Sequence, residues 1–521
     1  MDIIFKAVKD RLPRFNDYLL KDFRKEQVNW SAEFISIIFM EAIKLFEGHL
    51  KYLGYRILDP EERLAYELKD NIGRSNVNIR TNELILVEYS FSFMGEIYTV
   101  KLFLPYLKDQ FITINNTKYA LQLTIAEKVF TKVNDGITAK VVRSPINFKR
   151  QRTYDIVSVS SGERLHESLI TVKIHNKKKE SGPNIIFPTV VHYLLCKYGF
   201  NGTLNIFNIT PEDILVVENV NAHDIDLFEY YPCQKVNKSK SPLLLKVRKT
   251  ILENIRQKRV VVSLLYLLNN YKKQTLENLY DSSNAFYKLT LGKLISGSTV
   301  PEAKAMNHVE KHMSSLNHYL DPITKKRLEL MGIYANNIYD LLIYVFCNID
   351  TMIAENSHSD LYDKRIDVLD NLLVSYIVAE IFKKFYNVDN KGNKLIPKTA
   401  KSLFKISSRA INKIYRTPIV RMSPSQYNDN WLLSVGAKKT RQNSSINKNS
   451  SKGGSTSKTS TPEHRFHPSM AVVESIIAFS SSNPGISGTI NPFLEIDSHG
   501  FIHKPDYAAE VDAILPYLPY K

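Results

Sequence analysis

The chain has 521 residues, 44% of them hydrophobic, and a formal net charge of +17; single cores stop growing at roughly 250 to 300 residues, so two or three domains are expected. Its cysteines, Cys196, Cys233 and Cys347, are odd in number and form no C-x-x-C pair, which argues against a disulfide framework or a cysteine zinc site and fits a reducing cytoplasm. No apolar run approaches the roughly 20 uncharged residues that a bilayer span needs, and early charges interrupt any secretory h-region, so a soluble, unsecreted protein is expected.

Trp30 to Leu53 places Phe34, Ile35, Ile38, Ala42, Phe46 and Leu50 at helical spacing, which predicts an amphipathic core helix. From Glu83 to Val100 and from Phe111 to Leu123 the pattern changes to alternating β-branched and aromatic residues (Ile85, Val87, Tyr89, Phe91; Ile112, Ile114), with Asn115-Asn116 as a turn, so antiparallel strands are expected. After Pro145 helical patterns appear at Val190 to Tyr198, Leu243 to Gln257, Val260 to Tyr271 and Ile338 to Cys347, which reads as a separate, largely helical module reaching about Asn356. Asp360 to Phe385 is a further helical run with Ile366, Leu369, Leu372, Leu373, Ile377, Ile381 and Phe382 on one face.

The charge is local. Between Lys391 and His467 stand 16 Lys or Arg against two acids, Asp429 and Glu463, a net +14 of the total +17. Within this segment Asn443 to Thr461 (NSSINKNSSKGGSTSKTST) has one aliphatic residue and too little apolar surface to offset its ordering entropy, so a mobile basic loop is expected. A localised cationic stretch suits a polyanion through counterion release.

Candidate chemistry elsewhere is sparse. Asp224 with Asp226 and Glu495 with Asp497 are isolated acid pairs that read as turn or loop acids. His308 and His312 stand at i and i+4, a spacing able to hold a metal, but not in the H-E-x-x-H order and without a third ligand; an ordinary His pair on a surface helix is the better reading. Gly292, Lys293 and Gly297 (LGKLISGS) do not form a P-loop. Trp431 beside Leu432 and Leu433 reads as a core residue before a base-stacking one. No catalytic residue and no metal site is assigned to this chain.

Three ordered anchors carry a resemblance. Phe93-Met94-Gly95-Glu96-Ile97, followed by Phe111 to Lys118 (FITINNTK), is similar to the (Y/F)MGEIP and F-(I/V)-I-N-G-T-E-R pattern of the β subunit of multisubunit DNA-directed RNA polymerases, with Asn116 in place of the family's Gly. Asp360 to Leu373 (DLYDKRIDVLDNLL), with Lys364-Arg365 at its centre, resembles the β segment D-x-L-x-N-(K/R)-R-(I/V). His467-Pro468-Ser469, then Asn483-Pro484-Gly485-Ile486 through Asn491, then Gly500-Phe501-Ile502, resembles HPTHYGR…PEGPNIGLIN…EYGFI, although the Tyr-Gly-Arg and Glu-Thr-Pro-Glu are missing.

The resemblance implies an α+β, multidomain β-subunit architecture: a discontinuous protrusion (1–145 and 357–415), an inserted mostly helical lobe (146–356) and a fork region (416–521) containing the basic loop 443–461. It covers the first half of β, so the chain resembles the split β subunit of giant-phage polymerases, at work in the cytoplasm of an infected host or in the virion. It also implies that the catalytic Mg2+ is held by a D-F-D-G-D carboxylate cluster on a partner β′-like chain, with no cofactor bound here. Implied partners are a C-terminal β-like fragment, β′-like chains, template and non-template DNA, nascent RNA and a promoter-specificity subunit, with no membrane. Lys438, Lys439 and Arg441 fall where the family places the start of a fork loop facing downstream DNA, and Lys448, Lys452, Lys458 and Arg465 would add a cationic fringe; a solubilising linker is an equal reading of that fringe. Met94, Gly95, Glu96, Asn115, Lys364, Arg365, His467, Pro468, Asn483, Gly485 and Asn491 are the motif positions, structural or near the active centre. Two rival readings remain: a stand-alone sequence-tolerant nucleic-acid binder and a basic virion structural protein.

Overall fold

The chain forms two compact units, residues 1–128 with 357–521, and residues 129–356. The computed structural model describes residues 31–46, 50–71, 84–105, the strands between 111 and 133, most of 136–355, then 360–367, 377–378, 380–382, 384–385, 403–404, 419–421, 439–441, 469, 487–489, 494–497 and 500–504.

In the first unit α1 (Ser31–Ile43) buries Phe34, Ile35, Ile38, Phe39 and Ala42 along one stripe, as the i, i+3/i+4 spacing requires. The helix expected to reach Leu53 stops earlier, at a 3-10 turn over Lys44–Phe46, and Leu50 opens strand β1 (Leu50–Ile57). Leu50 fell on the helical spacing by coincidence; the two tyrosines and the terminal Ile of LKYLGYRI favour an extended chain. Helix α2 (Pro60–Asn71) follows, then β2 (Leu84–Phe93) and β3 (Glu96–Pro105), giving an antiparallel sheet in the order β1-β2-β3.

The apolar face of this sheet meets α1. The Tyr89 hydroxyl donates to the Ala32 carbonyl at 3.1 Å, and the Phe39 ring lies 5.0 Å from Tyr89 and 5.1 Å from Phe91. Phe385 and Phe404, beyond the second unit in sequence, complete the same aromatic core, with Phe404 4.7 Å from Phe91 and Phe385 6.1 Å from Phe39. Next in chain order come β4 (Phe111–Ile114), β5 (Thr117–Leu121) and β6 (Thr124–Glu127). β4 and β5 pair with Ile114 opposite Thr117, so the connection is residues 115–116, which lie outside the described residues.

The second unit begins at Val129, earlier than the 146 expected, because β7 (Phe130–Val133) and β8 (Gly136–Ala139) share a sheet with β9 (Ile146–Arg152). After the short pair β10 (Ile156–Val157) and β11 (Arg164–Leu165), β12 (Ser168–Ile174) completes the order β12-β9-β8-β7. Helix α3 (Val190–Ile206) is capped by Thr189, whose hydroxyl accepts from His192 N at 3.1 Å, an arrangement worth about 1 kcal/mol. Strands β13 (Ile214–Val217), β14 (Phe228–Pro232) and β15 (Leu244–Arg248) form a second sheet with β15 central. The expected helix Leu243 to Gln257 is therefore a strand at its start, continuing into α4 (Lys249–Glu253) and α5 (Ile255–Asn270). Its apolar run LLKV satisfies either period.

Among the described residues the unit finishes with α6 (Leu276–Tyr280), α7 (Ala285–Ser296), α8 (Glu302–Asn317), α9 (Pro322–Leu330) and α10 (Ile338–Glu355). Helices and strands contribute to one core that runs from Val129 to Met352, so the module is mixed α+β, with strands as integral as helices.

Back in the first unit, the run expected as a helix from Asp360 opens instead as strand β16 (Lys364–Asp367), antiparallel to β6. Ile366 is buried in that strand, while Ile377, Ile381, Phe382 and Phe385 are buried farther on; Leu369, Leu372 and Leu373 lie outside the described residues. Among the described residues farther along are the short strands β17 (Ile419–Arg421), paired with β5, and β18 (Lys439–Arg441), paired with β19 (Ser487–Thr489).

Candidate nucleic-acid interface

Strand β16 organises the site. Its register against β6 sets Lys364 opposite Glu127, Arg365 opposite Ala126 and Ile366 opposite Ile125. Its other edge meets the Gly500-Phe501-Ile502 segment: Arg365 and Phe501 form an antiparallel bridge, and Ile366 N donates to the Gly500 carbonyl at 2.6 Å. Gly500 sits at φ +83, and a Cβ there would fall 2.2 Å from the Ile366 carbonyl oxygen, so both the backbone conformation and the close approach require glycine.

The segment around Gly500 is a tight hairpin. Gly500 N donates to the Asp497 carbonyl at 3.0 Å, Asp497 N to the Phe501 carbonyl at 3.1 Å, and His503 N to the Glu495 carbonyl at 2.9 Å. The Asp497 carboxylate accepts from Phe501 N at 2.9 Å, and His503 Nε2 stands 3.7 Å from its other oxygen. The acid pair Glu495/Asp497 thus lies in this turn, and Asp497 helps to hold it.

A third segment arrives through Ser469, the residue after His467-Pro468. Ser469 is buried, and its hydroxyl accepts from Leu361 N at 2.8 Å, at the start of the β16 segment. Asp360, Asp363, Lys364 and Arg365 sit among these strands, with Lys364 and Arg365 each only 6% exposed. Lys128, two residues from the register position of Ala126, places its ammonium 5.8 Å from the Phe501 ring centre. Burial pushes Lys128 below its ordinary value against the opposing pull of Asp363 and Asp360, and the neighbouring Lys364 lowers it further.

The basic strand belongs to the same neighbourhood. β18, which contains Lys439 and Arg441, lies beside β6, and its partner β19 directly follows the Asn483-to-Ile486 motif in sequence. The structure therefore brings the β16 motif, the Ser469 end of the His-Pro-Ser motif, the Gly-Phe-Ile motif and the strand of Lys439 and Arg441 into one sheet region. Lys438, Lys448, Lys452, Lys458, Arg465, Trp431, Asn115, His467, Pro468, Asn483, Gly485 and Asn491 lie outside the described residues.

Met94 and Gly95 are the two central residues of the β2–β3 hairpin, both at positive φ (52° and 84°), with Phe93 paired to Glu96. That is the conformation of a type I′ turn, in which Gly is favoured and Met is held against its preference. Glu96 accepts from the Tyr98 hydroxyl at 2.7 Å. This motif forms the tip of the β2–β3 hairpin.

The other candidates resolve as structure. Asp224 closes a 3-10 turn and takes the Lys246 ammonium at 2.6 Å. His308 and His312 part company: His308 faces out and contacts the Ser296 hydroxyl at 2.9 Å, while His312 is buried and contacts the Tyr193 hydroxyl at 3.1 Å. Helix α8 is therefore not a wholly exposed carrier of a histidine pair. Lys293 pairs with Glu302 at 2.7 Å. Among the described residues no group of three or more His, Cys, Asp or Glu is placed to hold a metal ion, and no described helix is long and apolar enough to cross a membrane. Sequence reasoning missed Lys128 and the structural use of Ser469 and Gly500. Lys128 carried no signal, for it follows a short strand without any motif.

A family model described as non-virion RNA polymerase subunit matches residues 3–507. The chain belongs to this non-virion RNA polymerase subunit family. No curated protein matches it. Membership makes the chain a part of a transcribing assembly whose partners include other polymerase subunits. The stand-alone binder and virion structural protein give way to it, and the family's description sets the polymerase apart from the virion one.

Proposed function

We propose that this non-virion RNA polymerase subunit is the N-terminal β-type fragment of the enzyme. In this reading its first unit supplies the protrusion and fork region, its second unit the lobe, and together they give one wall of the DNA cleft in the infected cell. The observation that carries the reading is the junction at β16: segments distant in sequence, each resembling a β-subunit motif, are neighbours through the Arg365–Phe501 bridge and the Leu361–Ser469 hydrogen bond. A chance scatter of short motif matches has no reason to converge in space.

Lys438, Lys439 and Arg441 then neutralise phosphates at the downstream edge of the bubble, with Lys448, Lys452, Lys458 and Arg465 as a cationic fringe. The catalytic Mg2+ belongs to a carboxylate cluster on a β′-like partner, where it lowers the charge cost of nucleotidyl transfer. A C-terminal β-like chain is a further partner in this reading. The test is the salt dependence of promoter-DNA binding by the assembled polymerase with all three fork residues changed to Ala. Each lost phosphate contact removes about 0.9 from the slope of log affinity against log salt, so a drop of up to about 3 is expected. An unaltered slope removes these residues from the DNA.

A further inference from the structure

The second unit contains a cleft of about 350 Å3 between α3, the turn before α7, α8 and α10, and it is cationic. Lys197 and Lys288 line it together with Ser282, Asn284, Asn317 and Tyr339, and no Asp or Glu is among its lining residues. The nearest acid in sequence, Asp281, accepts from the Ser283 hydroxyl and amide, which with the nearby Lys288 ammonium hold its carboxyl below the ordinary range, so it offsets part of the charge of Lys288. Both ammonium groups are anchored: Lys197 stands 5.5 Å from the centre of the Tyr339 ring, and Lys288 donates to the Ser283 carbonyl at 2.9 Å. An ammonium carries three donors, so these anchors leave each lysine able to bind a ligand.

We propose that this cleft binds a phosphate group. Two fixed cations match the charge of about −1.5 to −2 on a phosphate monoester, or a single phosphodiester with charge to spare. The hydroxyl and carboxamide groups suit its several acceptor oxygens, and the buried Tyr339 ring holds the Lys197 ammonium at the cleft. A carboxylate ligand would use fewer of these donors. The site is independent of the β16 junction and stands whether or not the fork reading does.

The decisive experiment is hydrogen–deuterium exchange of the assembled polymerase in millimolar inorganic phosphate, against chloride at equal ionic strength. Slower exchange of peptides covering 280–290 and 312–318 is expected, with the apparent phosphate affinity reduced about tenfold in Lys197→Gln/Lys288→Gln, since charge-assisted hydrogen bonds are lost. Equal exchange in phosphate and chloride by the unaltered protein overturns the proposal, and that comparison decides even if the variant misfolds. Single-stranded DNA and a nucleoside triphosphate are the two further arms. Protection by the DNA as well as by inorganic phosphate, lost in the double variant, identifies a backbone phosphodiester; protection by the triphosphate and inorganic phosphate but not by the DNA identifies a free phosphate group.

Discussion

His192 shows how a single buried group links stability to pH. Its ring is 1% exposed, with Nε2 2.9 Å from the Thr290 hydroxyl and 3.0 Å from the Tyr287 carbonyl. Burial pulls its pKa down to about 4, against the opposing hydrogen bond to Tyr287. An unfolded histidine takes its proton near pH 6.5, so the unfolded chain is the one that binds the proton between about 6.5 and 4. The contribution is complete above about 6.5 and is lost as the pH falls toward about 4, by at most about 3 kcal/mol. Chemical denaturation at about pH 7 and 5.5, where carboxylates have hardly begun to protonate, should show a loss of about 1 kcal/mol that His192→Gln removes. An identical pH slope in the variant would mean that the folded ring titrates normally. Nothing in the sequence marked His192, because burial and the facing Tyr287 and Thr290, about a hundred positions away, are tertiary facts.

Among the elements, β16 is the one whose disruption should reach farthest. Gly500→Ala puts a Cβ into the Ile366 carbonyl and asks alanine to hold φ +83. A left-handed residue costs about 1–2 kcal/mol and overpacking about 1–3 kcal/mol, so the hairpin is expected to leave the strand edge. Limited proteolysis should then cut within 494–504 faster in Gly500→Ala than in the parent chain, while fragments of 129–356 appear at the parent's rate; unchanged cutting at 494–504 would show that the hairpin tolerates the side chain. Strands with clean alternation, β2 and β3 above all, were legible in the sequence, as was the α10 stripe. The failures share one cause. Leu50, Leu243 to Val247 and Ile366 lie in short apolar runs that fit both periods, and the cross-strand partners that decide them come from far along the chain: Phe93 for Leu50, Val217 for Leu244, Ile125 for Ile366.

At the scale of the whole molecule the charge distribution and the division into units point the same way. Most of the net +17 resides between Lys391 and His467, in the first unit's returning half, and the chemistry of nucleotidyl transfer requires metal ions held by clustered carboxylates. The order of the motifs was visible in the sequence. Which motifs touch was not, since bringing Ser469 to Leu361 and Phe501 to Arg365 depends on the intervening strands. On the proposed reading, in which the chain holds cationic residues against DNA and another chain holds the metal site, the subunit is expected to work only in company. Affinity purification from infected cells at moderate salt should therefore recover RNA synthesis with this chain, accompanied by a second β-like fragment and a subunit containing D-F-D-G-D. Mass spectrometry of the eluate and a transcription assay on it read both parts. RNA synthesis with no such carboxylate-bearing partner present would place the metal site on this chain and end the β-fragment reading. Elution of the chain alone, inactive, would end it from the other side, because a cleft wall has no function without the rest of the cleft.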